Sequence, residues 1–172
     1  MLIEIPTMNE DKNYIKYLLS LYSCSRVQGI LVSQPLSRDQ QKDAHTFWTE
    51  YGHRIRERIN DDAKLEALLK IILPQYNGDS VTIFRGENKK RYENSRIGFC
   101  WTSDIDTARM FARGLNSYRF GGVLLRHTFH PDQIIAGPSP HSFYLGENEF
   151  TIAPSSLKQN SVELLESYPP IL

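Results

Sequence analysis

The strongest constraint on this chain is a change of period near its middle. Up to residue 74 the apolar residues recur every three or four positions, which lines one face of a helix. From residue 79 they come in short runs between turn residues, the texture of strands. The stretch NEDKNYIKYLLSLYSCS carries Tyr14, Leu18, Leu21 and Tyr22 at helical spacing, with Asn9 placed to cap it. A second helix is predicted from Ser37, where Gln40 three residues on makes a capping-box pattern. Its apolar stripe is Ala44, Phe47, Trp48, Tyr51, Ile55 and Ile59. A third follows through Leu65, Leu68, Leu69 and Ile72, and Pro74 stops it. Strands are then predicted in GDSVTIFRG, IGFCWTSD, GGVLLRHTFH, DQIIAGPS and ENEFTIAP. A short helix, DTARMFARGL, turns Ala108, Phe111 and Ala112 inward. The expectation is an α+β chain: a helical lobe over 1–76 and a β-rich core with a mixed sheet over 77–172. The joint QYNGD is too short for a free linker, so the two are expected to pack as one compact unit.

Composition narrows the function classes. Lysine plus arginine and aspartate plus glutamate both number 20, so the net charge is zero. That balance argues against a protein that grips nucleic acid mainly through its phosphate backbone. The two cysteines, Cys24 and Cys100, stand in no metal-like spacing and fit a reducing compartment better than a disulfide scaffold. The start MLIEIPTMNEDK lacks the basic and apolar regions of a signal peptide, and no apolar run is long enough to span a membrane. The expectation is a cytoplasmic protein, or one delivered into a host cytosol, with no membrane partner. Of the five histidines, His127 and His130 lie close on one strand but three apart, hence on opposite faces, and no metal site is expected.

Four pieces carry chemistry. Arg85 and Gly86 are predicted to end a strand. A planar guanidinium binds phosphate oxygens in a bidentate fork, and a glycine lets backbone approach a ligand; a buried ion pair beside a turn would explain the same two residues. Cys100, Trp101, Thr102 and Ser103 follow on another strand, open either to core packing or to a polar site. The Ala108–Phe111 helix lies behind them. Glu147 and Glu149 stand at the mouth of the last strand, where residues i and i+2 share a face and like charges repel. Either the edge is solvated and the repulsion screened, or a site needs two carboxylates.

In this order the pieces resemble the arginine–serine–glutamate pattern of mono-ADP-ribosyltransferases. The resemblance covers roughly residues 81–154: an Arg-Gly strand, a Ser-Thr-Ser-like strand leading into an Ala-x-x-Phe helix, and a Glu-x-Glu. It implies NAD as co-substrate, a protein as target and arginine as the expected acceptor, with NAD glycohydrolase activity as a related outcome. It also implies a role for each residue. Arg85 would hold the NAD phosphate and Gly86 the nicotinamide carboxamide through main-chain atoms. Glu149 would bond the ribose 2′-hydroxyl, and Glu147 would orient or deprotonate the acceptor. Spacing to the helix sets Cys100-Trp101-Thr102 against Ser-Thr-Ser, whereas matching hydroxyls would set Trp101-Thr102-Ser103 there. In the first frame cysteine replaces the first serine, and Thr102 is placed to cap the helix and support Glu149. Arg119 and Phe120 would lie in the loop over the NAD phosphates and nicotinamide, although a solvated charge and a core aromatic is the reading favoured for these two. Phe143 and Tyr144, in the shaped loop GPSPHSFYLG, would recognise the target; packing of Phe143 into the core is the other reading. A toxin, a phage-encoded host modifier or an inhibitor of bacterial defence would suit such an enzyme. The other class of outcome is a degenerate transferase fold that acts as a non-enzymatic binding or inhibitor module.

Overall fold

Ser37 begins the longest of the described helices by the reciprocal bonding its sequence suggests. Its hydroxyl accepts from the Gln40 N–H at 3.3 Å, and the Gln40 side chain accepts from the Ser37 N–H at 2.9 Å. The computed structural model describes residues 24–172. The helix expected over residues 9–25, with Asn9 and its apolar stripe, lies outside the described residues but for its last two positions. Three helices make up the described part of the first unit, which ends at Ile72: α1 (Cys24–Ser33), α2 (Arg38–Ile59) and α3 (Asp62–Ile72). Both α1 and α2 pack on α3, which buries Leu65, Leu68, Leu69 and Ile72. Asn60 ends α2 in left-handed backbone. Arg56 then grips Asp62 through two hydrogen bonds of 2.8 and 2.7 Å, which fixes the turn into α3. The buried face of α2 differs in part from the predicted stripe. Ala44 and Trp48 are buried, joined by His45 and Gly52, while Tyr51 is exposed beside Phe47. Burial pushes the His45 imidazole down to about 4, so it stays neutral.

The second unit begins at Leu73, slightly ahead of the expected boundary at 76/77. The reason is local. The Tyr76 N–H donates to the Ile135 carbonyl at 3.2 Å, and its ring meets Phe150 edge-on, so these residues belong to the sheet. The strands are β1 (Val81–Asn88), β2 (Cys100–Thr102), β3 (Gly122–Phe129), β4 (Ile134–Ala136), β5 (Glu149–Ile152) and β6 (Glu163–Tyr168). They form a six-stranded sheet in the order β4-β5-β2-β1-β3-β6. Every ladder is antiparallel, where a mixed sheet was expected. Helix α5 (Ile105–Arg113) joins β2 to β3. Those two strands run the same way, but β1 lies between them and opposes both.

Strand β1 also runs further than expected, through Arg85 and Gly86 to Asn88. There Asn88 caps the short helix α4 (Lys89–Glu93) by accepting from the Lys90 N–H. One core cluster holds Ile83, Trp101, Leu125, Phe129, Phe150 and Ile152. A second joins Ala108, Ala112 and Leu124 to Phe84, Ile105 and Leu165. Gly86 is where β1 meets α5, since a Cβ there would stand 2.4 Å from both the Ala108 carbonyl oxygen and the Ala112 nitrogen. No helix among the described residues is long and apolar enough to cross a membrane.

The tight approach gives a direct expectation. Gly86→Ala should push α5 off the sheet and lower stability by about 1–3 kcal/mol, read from the denaturant midpoint at unchanged slope.

Candidate active site

Neighbouring strands bring the predicted residues together. Phe84 pairs with Thr102 across β1 and β2, and Thr102 pairs with Glu149 across β2 and β5. Arg85 is next along β1, and Cys100 lies two residues before Thr102. The Arg85 guanidinium spans the narrow β1–β2 ladder and donates through Nη1 to the Cys100 carbonyl. Its Nε donates to Glu87 Oε2 at 2.7 Å. Among the described residues its remaining three N–H bonds have no protein acceptor. Gly98 makes room for this arginine, because a Cβ at that position would fall 2.2 Å from Nη2.

Glu87 is a residue that sequence reasoning does not single out, although its signal is present. Arg85 and Glu87 stand at i and i+2 on one strand, hence on one side of it. Glu87 is fully buried. Its Oε2 also accepts from the Gly98 N–H at 2.9 Å, and its Oε1 accepts from the Asn88 N–H at 2.8 Å. Burial alone would raise its pKa. The Arg85 charge and the hydrogen bonds from Arg85, Asn88 and Gly98 outweigh it and hold the carboxyl below its usual range. The buried ion pair weighed for Arg85 is therefore real. The turn weighed for Gly86 is not, since Gly86 sits within β1.

Glu149 behaves in the opposite way. The residue keeps part of its surface in solvent, but its carboxyl is crowded by protein atoms. Burial pushes it up to about 7. A hydrogen bond from the Cys100 side chain lowers it, the nearby charge of Glu147 raises it, and that of Arg85 lowers it again. Near neutral pH the carboxyl is thus divided between its two protonation states. The two glutamates do not share one strand face, as their spacing suggested. Asn148 between them takes left-handed backbone, so Glu147 lies in the turn and Glu149 opens β5.

That turn is tied down from both sides. The Thr102 hydroxyl donates to the Glu147 carbonyl at 2.5 Å and accepts from the Asp104 N–H at 3.0 Å. Thr102 was expected to cap α5 and to support Glu149. The cap is instead Asp104, which accepts from the Asp106 N–H and from the Thr107 hydroxyl, and the support goes to the Glu147 backbone. From the other side comes helix α6 (Pro140–Tyr144), capped by Ser139. Its Ser142 hydroxyl accepts from the Glu149 N–H at 2.7 Å, and its Ser142 carbonyl accepts from the Glu147 N–H at 3.0 Å. Phe143 and Tyr144 on this helix are 73% and 85% exposed, which removes core packing as an explanation for Phe143.

Other expected residues already have protein partners. The Gly86 carbonyl accepts from Asn116 Nδ2 at 2.7 Å, so a ligand carboxamide would have to share it. Arg119 stacks over Tyr118, and Phe120 lies under the Lys90 ammonium at 4.4 Å. Trp101 packs in the core, edge-on to Phe129, and its indole N–H donates to the Gly98 carbonyl. Among the described residues no three His, Cys, Asp or Glu side chains are grouped to hold a metal ion. Family models, curated proteins and solved structures give no match to this chain.

Two outcomes follow from the opposed carboxyls. Glu87→Ala should leave Arg85 buried without its counter-charge and cost about 3–5 kcal/mol of stability, measured by urea unfolding. Glu149 should act in the other sense, because its folded pKa of about 7 lies above its ordinary value of 4.5. The unfolded chain then releases this proton first, so the residue's contribution worsens as pH rises from 4.5 to 7 and is worst above 7. Glu149→Gln should match wild type near pH 4.5 and exceed it at pH 8 by on the order of 3 kcal/mol. Paired denaturation curves at the two pH values measure the difference.

Proposed function

We propose that this chain is an NAD-dependent mono-ADP-ribosyltransferase that modifies a protein side chain, with arginine as the expected acceptor. The observation that carries this reading is the convergence of Arg85, Cys100, Glu147 and Glu149, with the Glu149 carboxyl sensing both Glu147 and Arg85. NAD supplies an ADP-ribosyl group on a nicotinamide leaving group. The residues present suit such a ligand: a guanidinium held in place by Glu87 with donors to spare, beside a carboxylate of adjustable charge.

Arg85 takes a phosphate oxygen through its unused N–H bonds. Glu149, once ionised, faces the ribose and stabilises the positive charge that develops as the nicotinamide–ribose bond breaks and its electron pair leaves with nicotinamide. Cys100 donates to Glu149 and keeps that carboxylate oriented. Glu147, in the turn ahead of β5, accepts the proton that an arginine acceptor must lose before its nitrogen can form the new bond. Phe143 and Tyr144 offer the target an exposed aromatic surface next to these groups.

One observation favours the other class of function, a non-enzymatic binding module on a degenerate transferase fold. The Gly86 carbonyl is already engaged by Asn116. The decisive experiment is incubation of the protein with labelled NAD and a bacterial lysate. Label on a lysate protein with wild type supports the transferase. No label and no nicotinamide release would overturn it and leave the binding module.

The division of labour is tested by two variants. Glu149→Gln should lose both nicotinamide release and target labelling by about a hundredfold or more, whereas Glu147→Gln should keep release and lose labelling. If both variants reduce both activities equally, the assignment is wrong. The wild-type rate of nicotinamide release should rise with pH through about 7, as Glu149 ionises, and a flat profile from pH 5.5 to 8.5 would remove Glu149 from the reaction.

A further inference from the structure

We infer that Arg91 is a second anion-binding residue beside Arg85, so that the two guanidinium groups together receive a diphosphate rather than a single phosphate. The inference rests on the NAD reading above and deepens it. Its starting point is the Glu87 carboxylate, whose two oxygens face different arginines. Oε2 holds Arg85 Nε at 2.7 Å, and Oε1 has Arg91 Nη1 at 3.9 Å. Two guanidinium groups around one buried carboxylate leave an excess of one positive charge. The half-exposed Arg91 thereby adds a positive charge beside the guanidinium of Arg85, an arrangement suited to an anion.

The two arginines are engaged differently. Arg85 is largely buried and bonded to Glu87, whereas the Arg91 side chain is half-exposed. At 3.9 Å it feels the Glu87 charge but lies beyond hydrogen-bond distance, so its donors remain available. The fold sets its position, since β1 passes into α4 at the Asn88 cap and residue 91 falls back over residue 87. Lys90 lies over Phe120 and Arg119 over Tyr118. Each phosphate of a dinucleotide carries one negative charge. With Arg85 on the phosphate nearer the scissile bond, Arg91, across the Glu87 carboxylate from it, is placed to take the second. A ligand with one phosphate needs only Arg85.

Calorimetric titration of wild type, Arg85→Ala and Arg91→Ala with ADP-ribose and with nicotinamide mononucleotide tests this. Arg91→Ala should weaken ADP-ribose binding about tenfold, the loss of one charge-assisted contact, and change mononucleotide binding by less than about twofold. Arg85→Ala should weaken both ligands. Arg91→Lys, which keeps the charge but not the fork, should recover part of the ADP-ribose affinity, and it serves as the informative variant if Arg91→Ala melts early. Unchanged ADP-ribose affinity in Arg91→Ala, or equal losses for both ligands, would overturn the second anion position while leaving the NAD reading standing. If wild type binds neither ligand, the NAD reading fails and this inference fails with it.

Discussion

The β-rich unit is organised around one buried carboxylate. Glu87 has no solvent to stabilise its charge, so the surrounding chain must do so. It does this with a guanidinium from its own strand and with backbone N–H groups from Asn88 and Gly98. These partners come from three places: the middle of β1, its end, and the segment entering β2. The charge therefore ties the course of the chain between β1 and β2 to the guanidinium of Arg85. Gly98 belongs to the same arrangement, since only a residue without a side chain can lie against that guanidinium. An arginine held in this way keeps its direction before any ligand arrives. Pre-set donors of that kind do not have to reorganise when an anion binds.

Glu87 and Glu149 show how one sheet shifts two carboxyl groups in opposite directions. Both are crowded by protein, and in both burial works against the charge. Glu87 has a salt bridge and two backbone donors, enough to keep it ionised. Glu149 has a thiol donor and a more remote arginine, against the repulsion of Glu147, and its pKa rises. The difference lies in the number and kind of donors that each strand position makes available. A group with its proton balanced near neutrality is suited to chemistry, and a group locked in one state is suited to holding its neighbour still.

Much of this was legible in the chain. The Ser37–Gln40 box, the leucine stripe of α3 and the inward alanines of α5 are local patterns, and local patterns survive folding. Arg85, Cys100, Glu147 and Glu149 were readable because their residue types limit what they can do together. What escaped depends on three-dimensional context. Strand β6 has its leucines side by side rather than alternating, and its ladder with β3 shifts register between Leu124 and Leu125, so the two-residue period is lost. The left-handed backbone of Asn148 separates two glutamates whose spacing suggested a shared face. Ser142 and Asn116 act on backbone groups seven and thirty residues away. No spacing rule connects such partners.

The attachment of α6 has a mechanical consequence. This five-residue helix shows two aromatic rings to solvent and, from the residue just before them, holds the backbone on both sides of Asn148. It is a lever whose outer arm is Phe143 and Tyr144 and whose inner arm is the Ser142 hydroxyl and carbonyl. A force on the rings is passed through one residue to the turn that presents the two carboxylates, with no long relay through the core.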